Sequence, residues 1–131
     1  MRDFRQLKVW EKAHRLTLRV YRDTKDFPPE ERFGLTNQLR RAAISVPSNI
    51  SEGCGRAGDR ELAHFMNISA GSASEVEYQL LLARDLEYLN TEQHRQLDAQ
   101  VNEAHAQQLH TKANLIAKSW DIEFELTQAN C

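Results

Sequence analysis

Six basic residues, Arg5, Lys8, Lys12, Arg15, Arg19 and Arg22, recur at steps of 3, 4, 3, 4 and 3 near the start of the chain. At about 100° per residue they fall within roughly a 100° arc of one helix, opposite an apolar stripe. Side chains of this kind neutralise phosphates and release counterions from nucleic acid. Like charges at these spacings repel by a few tenths of a kcal/mol per pair, about 1–2 kcal/mol for the row. Glu11 and Asp23 relieve only part of that. Three readings fit the row: a solvated outer face, a phosphate-tracking stripe, or a surface that pairs with acidic helices of another subunit. Trp10 and Tyr21 fall on the apolar side of the same helix, so no aromatic face interleaves the cations. Nucleic-acid contact through this row is therefore expected to follow the backbone, with weak sequence preference.

The remaining chemistry-bearing residues are sparser. Gln38, Arg41, Ser45, Asn49 and Glu52 form a polar row interleaved with the apolar positions of residues 35–50. Ser72 and Glu75 on the following helix are expected to face it, with Arg41 opposite Glu75 as an ion pair within or between subunits. Carboxylates such as Glu52, Glu75 and Glu77 can serve acid–base chemistry or hold Mg²⁺, but no third ligand or nucleophile accompanies them. Gly53-Cys54-Gly55-Arg56-Ala57-Gly58 spells GxGxxG. A dinucleotide fingerprint needs a preceding strand, whereas a helix precedes this one. The glycines suit a helix end joined to the next helix start, where free amides with Arg56 and Arg60 could hold one phosphate. His105 and His110 are five apart and miss the i, i+4 spacing of a helical zinc pair. Cys54 has no assignable histidine, and with Cys131 it is too little for a disulfide framework. No catalytic residue, metal or cofactor is assigned.

Four helices must position these residues. They are expected at about 5–25, 30–54, 59–89 and 91–120, with a short tail over 121–131, in one domain. The first buries Val9, Trp10, Ala13, Leu16, Thr17, Val20 and Tyr21, and Phe27-Pro28-Pro29 ends it. The second buries Leu35, Leu39, Ala42, Val46 and Ile50 and should bend at Pro47, which lacks an N–H and crowds the carbonyl of Ala43. The third carries Leu62, Met66, Ser69, Ala73, Val76, Leu80 and Ala83 at alternating steps of four and three, with a small-residue centre at Ala70 to Ser74. Asn90 and Gln93 make a capping box for the fourth, whose anchors are Leu97, Val101, Leu109, Ile116 and Trp120. The tail alternates apolar and charged residues over Asp121 to Leu126, a strand period with no strand to pair with. No strand–crossover unit occurs, and short loops between long helices favour an all-α, antiparallel up-down-up-down four-helix bundle.

The net charge of −2 conceals a division: residues 1–60 carry +5 and residues 61–131 carry −7. No apolar run approaches a membrane span, and the charged N-terminus lacks a secretory core, so a cytoplasmic location is expected with no membrane partner.

The segments "QLRRAAISVPSNISEGCGR" and "ELAHFMNISAGSASEVEYQL" resemble the signature of a bacterial four-helix-bundle family, the 23S rRNA intervening-sequence proteins. That family includes the accessory variability-determinant proteins of diversity-generating retroelements. The likeness extends over roughly residues 4 to 90. It implies a homo-oligomer, and ring-shaped homopentamers among its members make a pentamer the expected form. Such a ring would repeat and concentrate the basic row. The expectation is a non-enzymatic accessory protein associated with RNA or DNA through helix 1, with Arg56 and Arg60 nearby. The alternative is a protein-interaction or structural scaffold without nucleic-acid binding.

Overall fold

The apolar steps of three and four fold as helices, and polar chemistry at the middle of the bundle fixes how those helices meet. In the computed structural model the backbone is described over residues 2–129 and the side chains over residues 2–118. The helices are α1 (Lys8–Asp23), α2 (Leu35–Gly55), α3 (Asp59–Asp85) and α4 (Thr91–Ala129). Single 3-10 turns at Phe4–Gln6 and Pro29–Glu31 precede α1 and α2. There is no strand among the described residues. Each helix is antiparallel to the next: Thr17 meets Ala43, Ser45 meets Ser72, Ser69 meets Gln108, and Lys12 meets Gln107 where α4 closes against α1. This is the expected up-down-up-down bundle.

α2 and α3 bury every apolar position expected of them. α1 buries Val9, Ala13, Leu16 and Val20, but Tyr21 is exposed rather than in the core. Arg40 of α2 lies over its ring at 4.7 Å, a cation–π contact on the outside of the α1–α2 pair. Trp10 is half-buried, stacked on His14 with ring centroids 4.8 Å apart.

α4 departs most from expectation. Its inward face is Leu97, Val101, Ala104, Gln108 and Leu115, while Leu109 and Ile116 are exposed. A glutamine occupies the core position, so the apolar signal shifts to Leu109, one residue and about 100° away. The Trp120 side chain lies outside the described residues. The helix also continues to Ala129, so most of the expected tail is helical backbone; no proline or glycine interrupts it. Asn130 and Cys131 lie outside the described residues.

Helix ends follow local chemistry. The backbone N–H of Asn90 donates to Gln93 Oε1 at 3.0 Å, and that of Gln93 donates to Asn90 Oδ1 at 2.7 Å, the reciprocal capping box. α3 begins after Gly58, whose φ of +88° suits glycine and which offers no side-chain cap. It ends early, at Asp85, because Glu87 turns left-handed with φ +63° and the amide of Tyr88 donates to Ala83 O at 2.9 Å. At Gly53 α2 and α3 pack tightly: a Cβ there would sit 2.9 Å from Leu62 Cδ1 and from Phe65 Cβ. Gly71, in the small-residue centre of α3, faces open space instead.

Pro47 lies inside α2 and gives the Ala43 carbonyl no backbone donor. The hydroxyl of Thr17 on α1 faces it, its single proton shared between Ala43 O at 3.0 Å and Ala13 O at 2.9 Å. One helical step away, Ser69 on α3 donates to Val46 O at 2.8 Å, and Gln108 Nε2 on α4 donates to Ser69 Oγ at 2.7 Å. Thr17→Val should therefore cost about 1–3 kcal/mol, since it strands a buried acceptor. In a Pro47→Ala background a backbone N–H returns, and urea unfolding should show at most half that cost. Equal costs in both backgrounds would separate Thr17 from the proline. Glu87→Gly removes an unfavourable left-handed side chain and should raise stability by about 1 kcal/mol, read as a higher melting temperature.

Candidate functional site

The basic row is built by α1 and the turn before it, and the neighbouring carboxylates decide what it can do. Arg5 bonds Asp3 at 3.3 Å and lies over the Phe4 ring. Lys12 reaches α4, with Nζ 3.2 Å from Glu103 and 3.4 Å from Gln107 Oε1. Arg15 pairs with Glu11 at 2.6 Å on its own helix. Arg19 Nε donates to Asp23 Oδ2 at 2.8 Å, and the same guanidinium hydrogen-bonds Gln96 on α4. Arg22 pairs with the other oxygen of Asp23 at 3.3 Å. Five of the six cations thus have a carboxylate partner within the chain. Lys8 makes no ion pair or hydrogen bond among the described residues.

These pairs differ in weight. The Arg15 and Arg22 guanidiniums are exposed, and pairs of that kind contribute little. The Arg19 and Asp23 side chains are only 16% and 6% exposed, so their pair is enclosed. Gln96 links it onward by donating to Glu92 Oε1 at 2.8 Å. Arg95 clamps Glu92 with bonds of 2.9 and 2.6 Å. Hydrogen bonds from Arg95, then from Gln96, hold the Glu92 carboxyl down at about 2. Lys12 and Arg19 thus belong to a seam between α1 and α4, while Arg5, Lys8, Arg15 and Arg22 remain exposed.

The α2–α3 polar row divides in two. Ser45 Oγ lies 2.8 Å from Ser72 Oγ, and Asn49 Nδ2 donates to Ser45 O and Oγ at 2.8 and 2.9 Å. This half latches the two helices together. Glu52 pairs with Arg56 at 3.0 Å, one turn along α2. The other half lines an open groove of about 440 Å³ with Gln38, Arg41 and Glu75 on its walls. The expected Arg41–Glu75 ion pair is not formed within the chain, and neither residue has another partner among those described. Phe33 sits at the groove's end, 85% exposed. Gln79, almost fully buried, lines it with an Oε1 that lacks a partner.

At the glycine cluster, where the sequence leaves room for a phosphate, carboxylates stand at the helix start. Asp59 and Glu61 occupy the first turn of α3, and the Arg2 guanidinium bonds Asp59. The carboxylates thus fill the positive end of the helix. Arg56 is turned to Glu52, and Arg60 is exposed on the first turn. Cys54 is buried, and desolvation pushes its thiol upward, away from a reactive thiolate. Glu77 lies in a separate groove between α3 and α4, so it does not join Glu75 as a carboxylate pair. No group of three or more histidine, cysteine or acidic residues suited to a metal ion occurs among the described residues. No helix among them is long and apolar enough to cross a membrane.

The sequence profile described as 23S rRNA-intervening sequence protein matches residues 5–110, most of the chain. The chain belongs to that family. Its fold is similar to a solved protein of unknown function from the S23 ribosomal protein family of Bacteroides thetaiotaomicron, with a TM-score of 0.73 and 22% identity. The match covers 80% of this chain and 95% of that one. No curated protein matches the sequence. The family match spans α1 to α3 and half of α4, and so contains both the α1–α4 seam and the α2–α3 groove.

The seam makes a prediction that separates structure from surface. Arg19→Gln should lower stability by about 1–3 kcal/mol, because it leaves Asp23 enclosed without its main partner. Arg15→Gln should stay within about 0.5 kcal/mol. Chemical denaturation of the two variants checks the contrast; matching midpoints would remove the structural role of Arg19.

Proposed function

We propose that the protein is a non-enzymatic, self-assembling scaffold whose copies join through the α2–α3 groove. The observation that carries this reading is the unpaired Arg41 and Glu75 on one groove beside an almost fully exposed phenylalanine. A groove with both signs of charge, an exposed aromatic and a buried acceptor without a donor has the composition of an interface core and its rim. A neighbouring copy can supply what Arg41, Glu75 and Gln79 lack.

A ring needs two different surfaces per copy, since head-to-tail contacts close only when the patches differ. Leu18 and Ile44 supply a candidate second surface. They follow Thr17 and Ala43, which hydrogen-bond across α1 and α2, and both are exposed on the outer wall of that pair. In a four-helix bundle this wall meets the α2–α3 wall at roughly 90°, near the roughly 90–110° that rings of four or five require. Five copies is the number implied by the family resemblance. Nucleic-acid association through α1 is the weaker reading, because most of its cations already have carboxylate partners.

Native mass spectrometry tests the assembly. The wild-type chain should fly as a closed oligomer, with five copies expected. Arg41→Glu and Ile44→Glu should each give monomer alone. An equimolar mixture of the two should give a one-to-one dimer, since one good interface survives between them. A wild-type monomer at micromolar concentration would overturn the reading.

A further inference from the structure

Lys8 is the exception in the basic row, and its surroundings explain why. It lies at the rim of a groove of about 350 Å³ between the chain's start and the last third of the described part of α4. Lys118 and Arg2 share that rim, and no aspartate or glutamate among the described residues lines the groove. Lys118, like Lys8, has no ion pair or hydrogen bond among the described residues. Arg2 is held at the edge by Asp59. Elsewhere along α1 each cation has found a carboxylate, so two bare lysines converging on one groove are the departure. An anion held between them would relieve their mutual repulsion. A cleft with cations at its rim and a low-dielectric floor also focuses positive potential inward.

The other lining groups define the kind of anion. Gln107 and Asn114 bring side-chain amides that can donate, and Thr111 brings a hydroxyl. Leu7, Val9 and Leu115 form an apolar floor. Two ammonium groups beside neutral donors suit a doubly charged, tetrahedral oxyanion better than a single carboxylate. The floor suits an organic body attached to it, and the volume lies at the lower end of the range for small-molecule sites. We propose that this groove binds a small phosphate monoester, its phosphate between Lys8 and Lys118 and its organic part on Leu7, Val9 and Leu115. The site lies at the α1–α4 end, apart from the α2–α3 groove, and stands whether or not the chain assembles.

Phenyl phosphate, inorganic phosphate and phenol are the probes, titrated into the full-length protein at low salt and followed by amide chemical shifts. Phenyl phosphate should saturate in the millimolar range or tighter, at least about fivefold more tightly than either fragment. Shifts should concentrate on residues 6–9 and 107–118. Lys8→Gln with Lys118→Gln should weaken binding about tenfold, and Arg15→Gln with Arg22→Gln should leave it unchanged. Both lysines are exposed, so the double variant should melt with the wild type. Absence of saturable shifts, or shifts centred elsewhere, would overturn the proposal whatever the variants do. Binding that survives the lysine substitutions would overturn it too. A mixed-sequence single-stranded RNA that binds more tightly than phenyl phosphate, and loses that binding in the same lysine variant, would replace the small ligand with a polymer.

Discussion

The bundle depends on how two carbonyls of α2 are satisfied around Pro47. A proline inside a helix leaves the carbonyl four residues back without its donor, and here that group belongs to the fully buried Ala43. Thr17 reaches across from α1 to meet it. Ser69 reaches from α3 to Val46 O, and Gln108 reaches from α4 to Ser69. Each of the four helices therefore contributes to one polar layer through the core. An apolar core tolerates sliding of one helix by a turn, because leucine and valine pack in many registers. A buried hydrogen bond does not, since a shift of one turn leaves a donor and an acceptor unpaired at about 1–3 kcal/mol each. The polar layer thus fixes the register, and the grooves on the outside follow from it.

The same register explains the division of charge. The basic N-terminal half and acidic C-terminal half are brought side by side where α1 runs antiparallel to α4. Lys12 meets Glu103 there, and Arg19 is tied through Gln96 to the Glu92–Arg95 clamp. Part of the polarity visible along the chain is spent within the fold. The surface charge left includes a groove with both signs between α2 and α3, and a groove whose described charged residues are all cationic where α1 begins.

Most of the fold was legible because α2 and α3 keep apolar residues at uninterrupted steps of three and four, and every one of those positions is buried. The capping box at Asn90 was legible because its bonds span three residues. Three features were not. Gln108 hides a core position behind a polar side chain whose partner, Ser69, lies 39 residues away. The period of the α1 row was visible, but the partners of Lys12 and Arg19 on α4 lie 95 and 77 residues distant, and no local pattern announces them. Gly53 looked like a helix terminator, whereas its missing side chain is what lets Leu62 and Phe65 approach. In the small-residue centre of α3, Ser72 meets Ser45 of α2 and Ala73 is buried, whereas Gly71 has no close neighbour among the described residues. Sequence period reports which face is apolar; it does not report which polar group on another helix completes that face.

This difference bears on where function lies in such a bundle. Residues that complete the core, such as Thr17, Ser69 and Asp23, have their hydrogen bonds inside the chain. They are conspicuous by type, and the fold gives each a structural task. Residues that could act on something else are those the fold leaves with unmet bonding capacity: Arg41, Glu75 and Gln79 in one groove, Lys8 and Lys118 in another. The first set offers both signs of charge beside an exposed aromatic, which suits a protein surface. The second offers cations over an apolar floor, which suits a small anion. The two chemistries sit on different walls of one bundle and share no lining residue.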